Sequence, residues 1–206
     1  MCSTTMNIRA WIMSPECHHI CMLINDFKNR AGTLPLMTGF IFVHGITPYL
    51  QPELSALCCD DCCLRIIVAE TGAVIHTLCL GRQLESMVFS PFGNPIAVGC
   101  EDGTLLIVDS GSGALVRTTD LGGEWLGAIA FEPSGKRIAA CCGEGGLRVI
   151  DADSGAIKYI KSLPGDWVQA LDYAPKGHHI AIGCGDGFLH VVAAESGAIV
   201  FTMQFE

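Results

Sequence analysis

The chain has 206 residues, half of them apolar and only 16% charged, which supplies a core and argues against disorder. Its 21 acids against 12 Lys and Arg give a formal net charge of −9, against sequence-independent binding to nucleic acid or to an anionic membrane. The longest apolar run, within residues 34–46, is broken by Pro35, Thr38, Gly39 and His44, too short and mixed to span a bilayer.

In chain order, residues 1–10 read as an extension without the charged and apolar regions of a secretory signal. Twelve cysteines in such a chain predict a reducing, cytoplasmic setting and no disulfide framework. Residues 11–40 form a degenerate unit: Met13-Ser14-Pro15-Glu16-Cys17-His18-His19-Ile20 aligns without gaps to Tyr173-Ala174-Pro175-Lys176-Gly177-His178-His179-Ile180. Residues 41–83 form an irregular unit, with its first hairpin disturbed around Pro48 to Pro52. Its stretch Cys58 to Ile67 parallels Cys141 to Ile150 at an offset of 83, one short of two repeats.

Three regular units follow, 84–125, 126–167 and 168–206. Pro91, Pro133 and Pro175 stand 42 apart, as do Ile96, Ile138 and Ile180, then Cys100, Cys142 and Cys184. The same step relates Gly113, Gly155 and Gly197, each followed by Ala. A period held this strictly marks one supersecondary unit stacked repeatedly. Within a unit, short apolar runs alternate with turn residues, as in Leu126–Phe131, Ile138–Cys142, Leu147–Ile150 and Ala156–Ile160 separated by Pro133-Ser134-Gly135, Glu144-Gly145-Gly146 and Asp153-Ser154-Gly155. No 3.6-residue apolar pattern survives between the turns. The expected fold is therefore all-β, a β-propeller of about five four-stranded antiparallel blades; an incomplete ring and a part of a larger propeller are the alternatives.

Ser90-Pro91-x-Gly93 followed by Ile96-Ala97-Val98-Gly99-Cys100-Glu101-Asp102-Gly103-Thr104 resembles the WD-repeat motif, over residues 11–206. The Trp-Asp ending of that motif stands here as Val108-Asp109, Ile150-Asp151, Val192-Ala193 and Ile67-Val68. The opening Gly-His is missing and cysteine replaces the second-strand serine, so the buried Asp-His-Ser-Trp network of the family cannot form. Asp102 and Asp186 are expected to serve their turns locally. The stretch Leu84 to Pro91 with Ala97-Val98-Gly99 is also similar to blades of the echinoderm microtubule-associated-protein-like family.

Cys59-Asp60-Asp61-Cys62, flanked by Cys58 and Cys63, invites a metal or redox reading. Against it, Cys59, Cys100, Cys142 and Cys184 occupy equivalent strand positions, as small buried residues do. His18-His19 and His178-His179 fall in equivalent first-hairpin turns, where surface histidines are ordinary. No nucleophile with a nearby base is visible, and the Gly-Gly and Gly-x-Gly pairs lie in strand turns. The expectation is a non-enzymatic chain without metal or cofactor.

In an up-and-down blade, the turns between strands two and three share one face with the loops between blades. Those segments carry Asp60, Asp61, Glu101, Asp102, Glu144 and Asp186, with Glu124 and Asp166, so that face is expected to be acidic. Lys136, Arg137, Lys176, His178 and His179 fall on the other. Trp125 and Trp167, each following one of those acids, can anchor a basic peptide or an arginine. Trp125 also shares strand parity with Ile129 and Phe131, and Trp167 with Leu171 and Tyr173, which predicts packing between blades. The reading is a scaffold for protein–protein interaction. The echinoderm resemblance implies tubulin or axonemal association and a cytoskeletal location, and a channel-bound metal enzyme is the remote alternative.

Overall fold

A computed structural model describes residues 54–205 apart from 144, 145 and 166, and before them the backbone of three short strands. Those are β1 (Arg9–Trp11), β2 (Cys21–Leu23) and β3 (Phe42–His44). β1 and β2 pair antiparallel and flank the tract around Ser14 to Ile20 that sequence aligned to a first hairpin, so the degenerate unit opens with the expected two strands. β1 begins at Arg9, two residues ahead of the boundary read from sequence.

Sheet II joins β3 to β4 (Leu54–Cys59), β5 (Cys63–Val68) and β6 (Val74–Cys79). Sheet III holds β7 (Leu84–Phe89), β8 (Ile96–Cys100), β9 (Thr104–Val108) and β10 (Leu115–Asp120). Sheet IV holds β11 (Leu126–Phe131), β12 (Arg137–Cys142), β13 (Gly146–Asp151) and β14 (Ile157–Ser162). Sheet V holds β15 (Val168–Tyr173), β16 (His179–Cys184), β17 (Phe188–Ala193) and β18 (Ile199–Gln204). Each is a four-stranded antiparallel meander in chain order, and no helix occurs among the described residues. The protein is all-β, with the blade arrangement of a β-propeller.

Successive sheets stack face to face through three apolar clusters, one between II and III, one between III and IV and one between IV and V. Alternate residues of one strand serve different clusters. In β12, Ala139 and Cys141 face sheet V while Ile138, Ala140 and Cys142 face sheet III, all essentially buried. This explains the near-continuous apolar runs of the second and third strands, because both faces are covered. Each fully buried Ile or Leu of these strands contributes about 1.5–3 kcal/mol of hydrophobic stabilisation. The repeated cysteines lie within this packing, as the small residues that let two sheets approach. Gly99 marks the closest approach: a β-carbon there would stand 2.5 Å from Ser86 Oγ and 2.8 Å from Leu126 Cβ. Ser86 is held in that space by donating its hydroxyl to Leu126 O at 2.6 Å.

A second device joins the sheets at their outer edges. His76, Arg117 and Tyr159 occupy one position of the fourth strand, and each reaches a backbone carbonyl in the third-to-fourth-strand turn of the next sheet. His76 Nε2 lies 2.8 Å from Gly111 O, Arg117 Nη1 donates to Ala152 O at 2.9 Å, and the Tyr159 hydroxyl donates to Ala194 O at 2.8 Å. Those turns are themselves tied by the aspartates that stand where a Trp-Asp ending would place them. Asp109 accepts from Ser112 N and Oγ, both at 2.7 Å, and Asp151 from Ser154 N and Oγ at 2.9 and 2.8 Å. The Asn94 amide and both Ser112 donors hold the Asp109 carboxyl down at about 2.

Candidate interaction face

The turns between second and third strands are built alike in three of the four sheets. Asp61, Asp102 and Asp186 occupy one repeat position, and each accepts the backbone N–H two residues on: Cys63 at 3.1 Å, Thr104 at 3.1 Å and Phe188 at 3.2 Å. Glu144 takes that position in sheet IV, and it and Asp166 lie outside the described residues. The next turn residue needs a left-handed backbone. Gly103 and Gly187 supply it at φ +77° and +84°, and in sheet II the side-chain-bearing Cys62 takes φ 61°. A β-carbon in that conformation costs about 1–2 kcal/mol. Cys62→Gly should therefore stabilise the protein by about 1 kcal/mol, seen as a rise in the urea midpoint; an unchanged or lower midpoint would contradict this account of the turn.

Sequence placed the acids of this face but missed their counter-ions. Arg65 grips Asp61 with both arms, at 3.0 and 2.5 Å, and this fork holds the Asp61 carboxyl below the usual carboxylate range. Arg82, in the loop between sheets II and III, pairs with Asp102 and donates to Thr104 Oγ1 at 3.1 Å. A shallow depression of about 440 Å³ lies there, lined by Gly81, Arg82, Gln83, Glu101 and Asp102. The Asp61–Arg65 spacing across a tight turn was readable; the Arg82–Asp102 pair depends on how two sheets stack and was not. The face is therefore acidic in patches. Asp61 and Asp102 have their charge matched, Asp186 serves its turn, and Asp60, Glu101 and Glu124 are exposed.

The strand parity proposed for the tryptophans does not carry across the start of the strand. A register shift between Leu126 and Ala128, repeated between Leu84 and Ser86 and between Val168 and Ala170, inserts a bulge there. Ile129 and Phe131 enter the cluster between sheets III and IV, whereas Trp125 lies over its own sheet. A β-carbon built at Gly127 would stand 1.8 Å from the Trp125 ring, and one at Gly143 would stand 2.3 Å from its Nε1. Trp167 lies likewise over Gly185, where a β-carbon would stand 2.5 Å from its Nε1, and remains 48% exposed. Each indole is thus a flat apolar plate set on glycine, with an open face on the rim that bears Glu101 and Glu124.

Chemical reactivity is not evident in the cysteines. Burial raises the thiols of Cys58, Cys59, Cys100 and Cys141, that of Cys100 to about 12, and a buried neutral thiol is neither nucleophile nor metal ligand. Cys63 and Cys79, directly opposed in the β5–β6 register, form a disulfide, which the sequence reading did not anticipate. Among the described residues no group of three His, Cys, Asp or Glu is placed to hold a metal ion. His178 and His179 are exposed in their turn with Lys136 and Lys176, while His18 and His19 lie outside the described residues. His190 is buried between Pro164 O at 2.7 Å and Thr202 Oγ1 at 2.9 Å, a structural bridge between sheets IV and V. No described helix is long and apolar enough to cross a membrane.

A scan against protein-family models finds none that matches the chain, and a search of curated proteins finds no match.

Proposed function

We propose that this chain is a non-catalytic, WD-repeat-like propeller module of the cytoplasm that scaffolds a protein complex, and that its second-to-third-turn face receives a basic segment of a partner protein. The observation that carries this reading is the pair of indoles set on glycine at equivalent repeat positions, with Trp167 48% exposed and acidic side chains on the same rim. A tryptophan plate beside carboxylates suits an arginine, which stacks on the ring and pairs with the acid. The strict repeat and the turn-tying aspartates at Asp109 and Asp151 support the family reading. An arginine-rich peptide should shift and quench the indole fluorescence, and Trp167→Ala should weaken its binding roughly tenfold or more. Binding left unchanged in that variant would remove the tryptophans from the interface.

A second reading rests on the opposite rim, where Lys136, Lys176, His178 and His179 are all exposed. That rim suits an acidic partner such as the tails of tubulin, as the similarity to echinoderm microtubule-associated-protein-like blades implies. Co-sedimentation with microtubules that Lys136→Glu and Lys176→Glu abolish would favour it over the first.

A further inference from the structure

Sheet V differs from sheets III and IV in a way its sequence does not announce. The face that in the other sheets packs on the following sheet has nothing upon it among the described residues. Ala97 and Ala139 are 0% exposed, yet their equivalent Ala181 is exposed; Leu121 and Leu163 are 3% and 7% exposed, yet Phe205 is 60% exposed. Leu189 and Val191 are only half-buried where Leu147 and Val149 are at 0%. The apolar composition of a covered face has been kept on an open one, and apolar patches of this kind mark contact surfaces.

We propose that this open face of sheet V is a self-association surface, closed by the same face of a second copy of the chain. Two observations select this occupant. The first is continuity with the stacking inside the chain, where every other face of this composition is covered by a sheet of the same repeat. The second is the edge contact. His76, Arg117 and Tyr159 each bond a turn carbonyl of the sheet that follows them, but sheet V has Phe201 at that position, 46% exposed and unable to do so. A regular following sheet would leave its turn carbonyl without that donor, whereas a second copy presents an apolar surface there.

The face also complements itself. Its first two strands carry small residues, Ala170, Ala181 and Gly183, and its outer two carry large ones, with Val191 opposite Phe201 and Leu189 opposite Met203 in the register. A twofold axis parallel to the strands sets the large half of one copy on the small half of the other, which is the geometry of an isologous dimer. Asp172 lies at the end of the small half, half-buried, its carboxylate accepting the Tyr173 amide at 2.8 Å.

Light scattering coupled to gel filtration on the full chain tests this. The wild type should be a dimer, with a dissociation constant of about 10 μM or below, and Phe201→Lys should raise that constant roughly tenfold or more while the circular dichroism stays unchanged. Should Phe201→Lys misfold, Met203→Glu supplies the same reading from another exposed side chain. A wild-type monomer at high concentration overturns the proposal, including one whose Leu189 and Val191 amides are protected because another part of the chain covers them. A dimer that survives both variants, or open-ended oligomers, overturns it equally.

Discussion

Ile182→Ala should destabilise the protein by about 3 kcal/mol, whereas Ala181→Ser, at the adjacent position, should change stability by less than about 0.5 kcal/mol. Ile182 is 0% exposed and lies in the cluster joining sheets IV and V, among Ala139, Cys141 and Leu147. Truncating it removes three methyl or methylene groups and leaves a cavity between two sheets whose backbones cannot close on it. Ala181 points to the open face, so a hydroxyl added there meets solvent. Chemical denaturation of both variants reads the difference directly. Equal losses would show that β16 does not separate a packed face from an open one. If the dimer forms through that face, Ala181→Ser should also weaken it at high concentration, so the comparison belongs at low micromolar protein.

The second large effect is expected at Arg137, which ties sheet IV to itself and to sheet V. Its guanidinium donates to both oxygens of Glu132 at 2.9 and 3.1 Å, and to Glu195 Oε2 at 2.7 Å and Ala194 O at 3.3 Å. The Arg137 and Glu132 side chains are only 16% and 12% exposed. Arg137→Met leaves the Glu132 carboxylate largely buried with its main partner gone, at a cost of about 3 kcal/mol near neutral pH. Adding Glu132→Gln should recover much of that loss, because the uncompensated charge then disappears. The pH dependence has a definite sign. Hydrogen bonding from Arg137 holds the Glu132 carboxyl below its ordinary value, so its stabilisation is present above the unfolded-state value of about 4.3. It is lost as pH falls through the lower folded-state value. Wild-type stability should drop in that acid window, and the gap between wild type and Arg137→Met should narrow there. A gap independent of pH would contradict the charge account.

Much of this architecture was legible because a propeller-like blade is a local object. Each strand pairs with its neighbour in the chain, so the spacing of Pro91, Pro133 and Pro175 and of the turn glycines translates into sheets without knowledge of distant contacts. The same register exposed Cys100, Cys142 and Cys184 as packing residues. What sequence concealed lies between sheets or at irregular register. The bulge after Leu126 is one inserted residue with no composition signal, yet it carries Trp125 off the interior parity and onto Gly127. Arg82 meets Asp102 only because the loop that leaves sheet II passes the turn of sheet III. Cys79 pairs with Cys63 through the third hairpin of an irregular unit, where the offset of 83 had already blurred equivalences. The openness of sheet V was hidden for the opposite reason, since Ala181, Leu189 and Val191 repeat the composition of covered positions.

The most direct test of the turn face as a binding surface is a calorimetric titration of an arginine-rich peptide into the wild type and into the double variant Glu101→Lys, Glu124→Lys. Both side chains are exposed, so the reversal should leave the fold intact. The expected result is saturable binding to the wild type that weakens with salt, and its loss in the variant. Binding of equal strength in both proteins, or none to either, would contradict the assignment of this face.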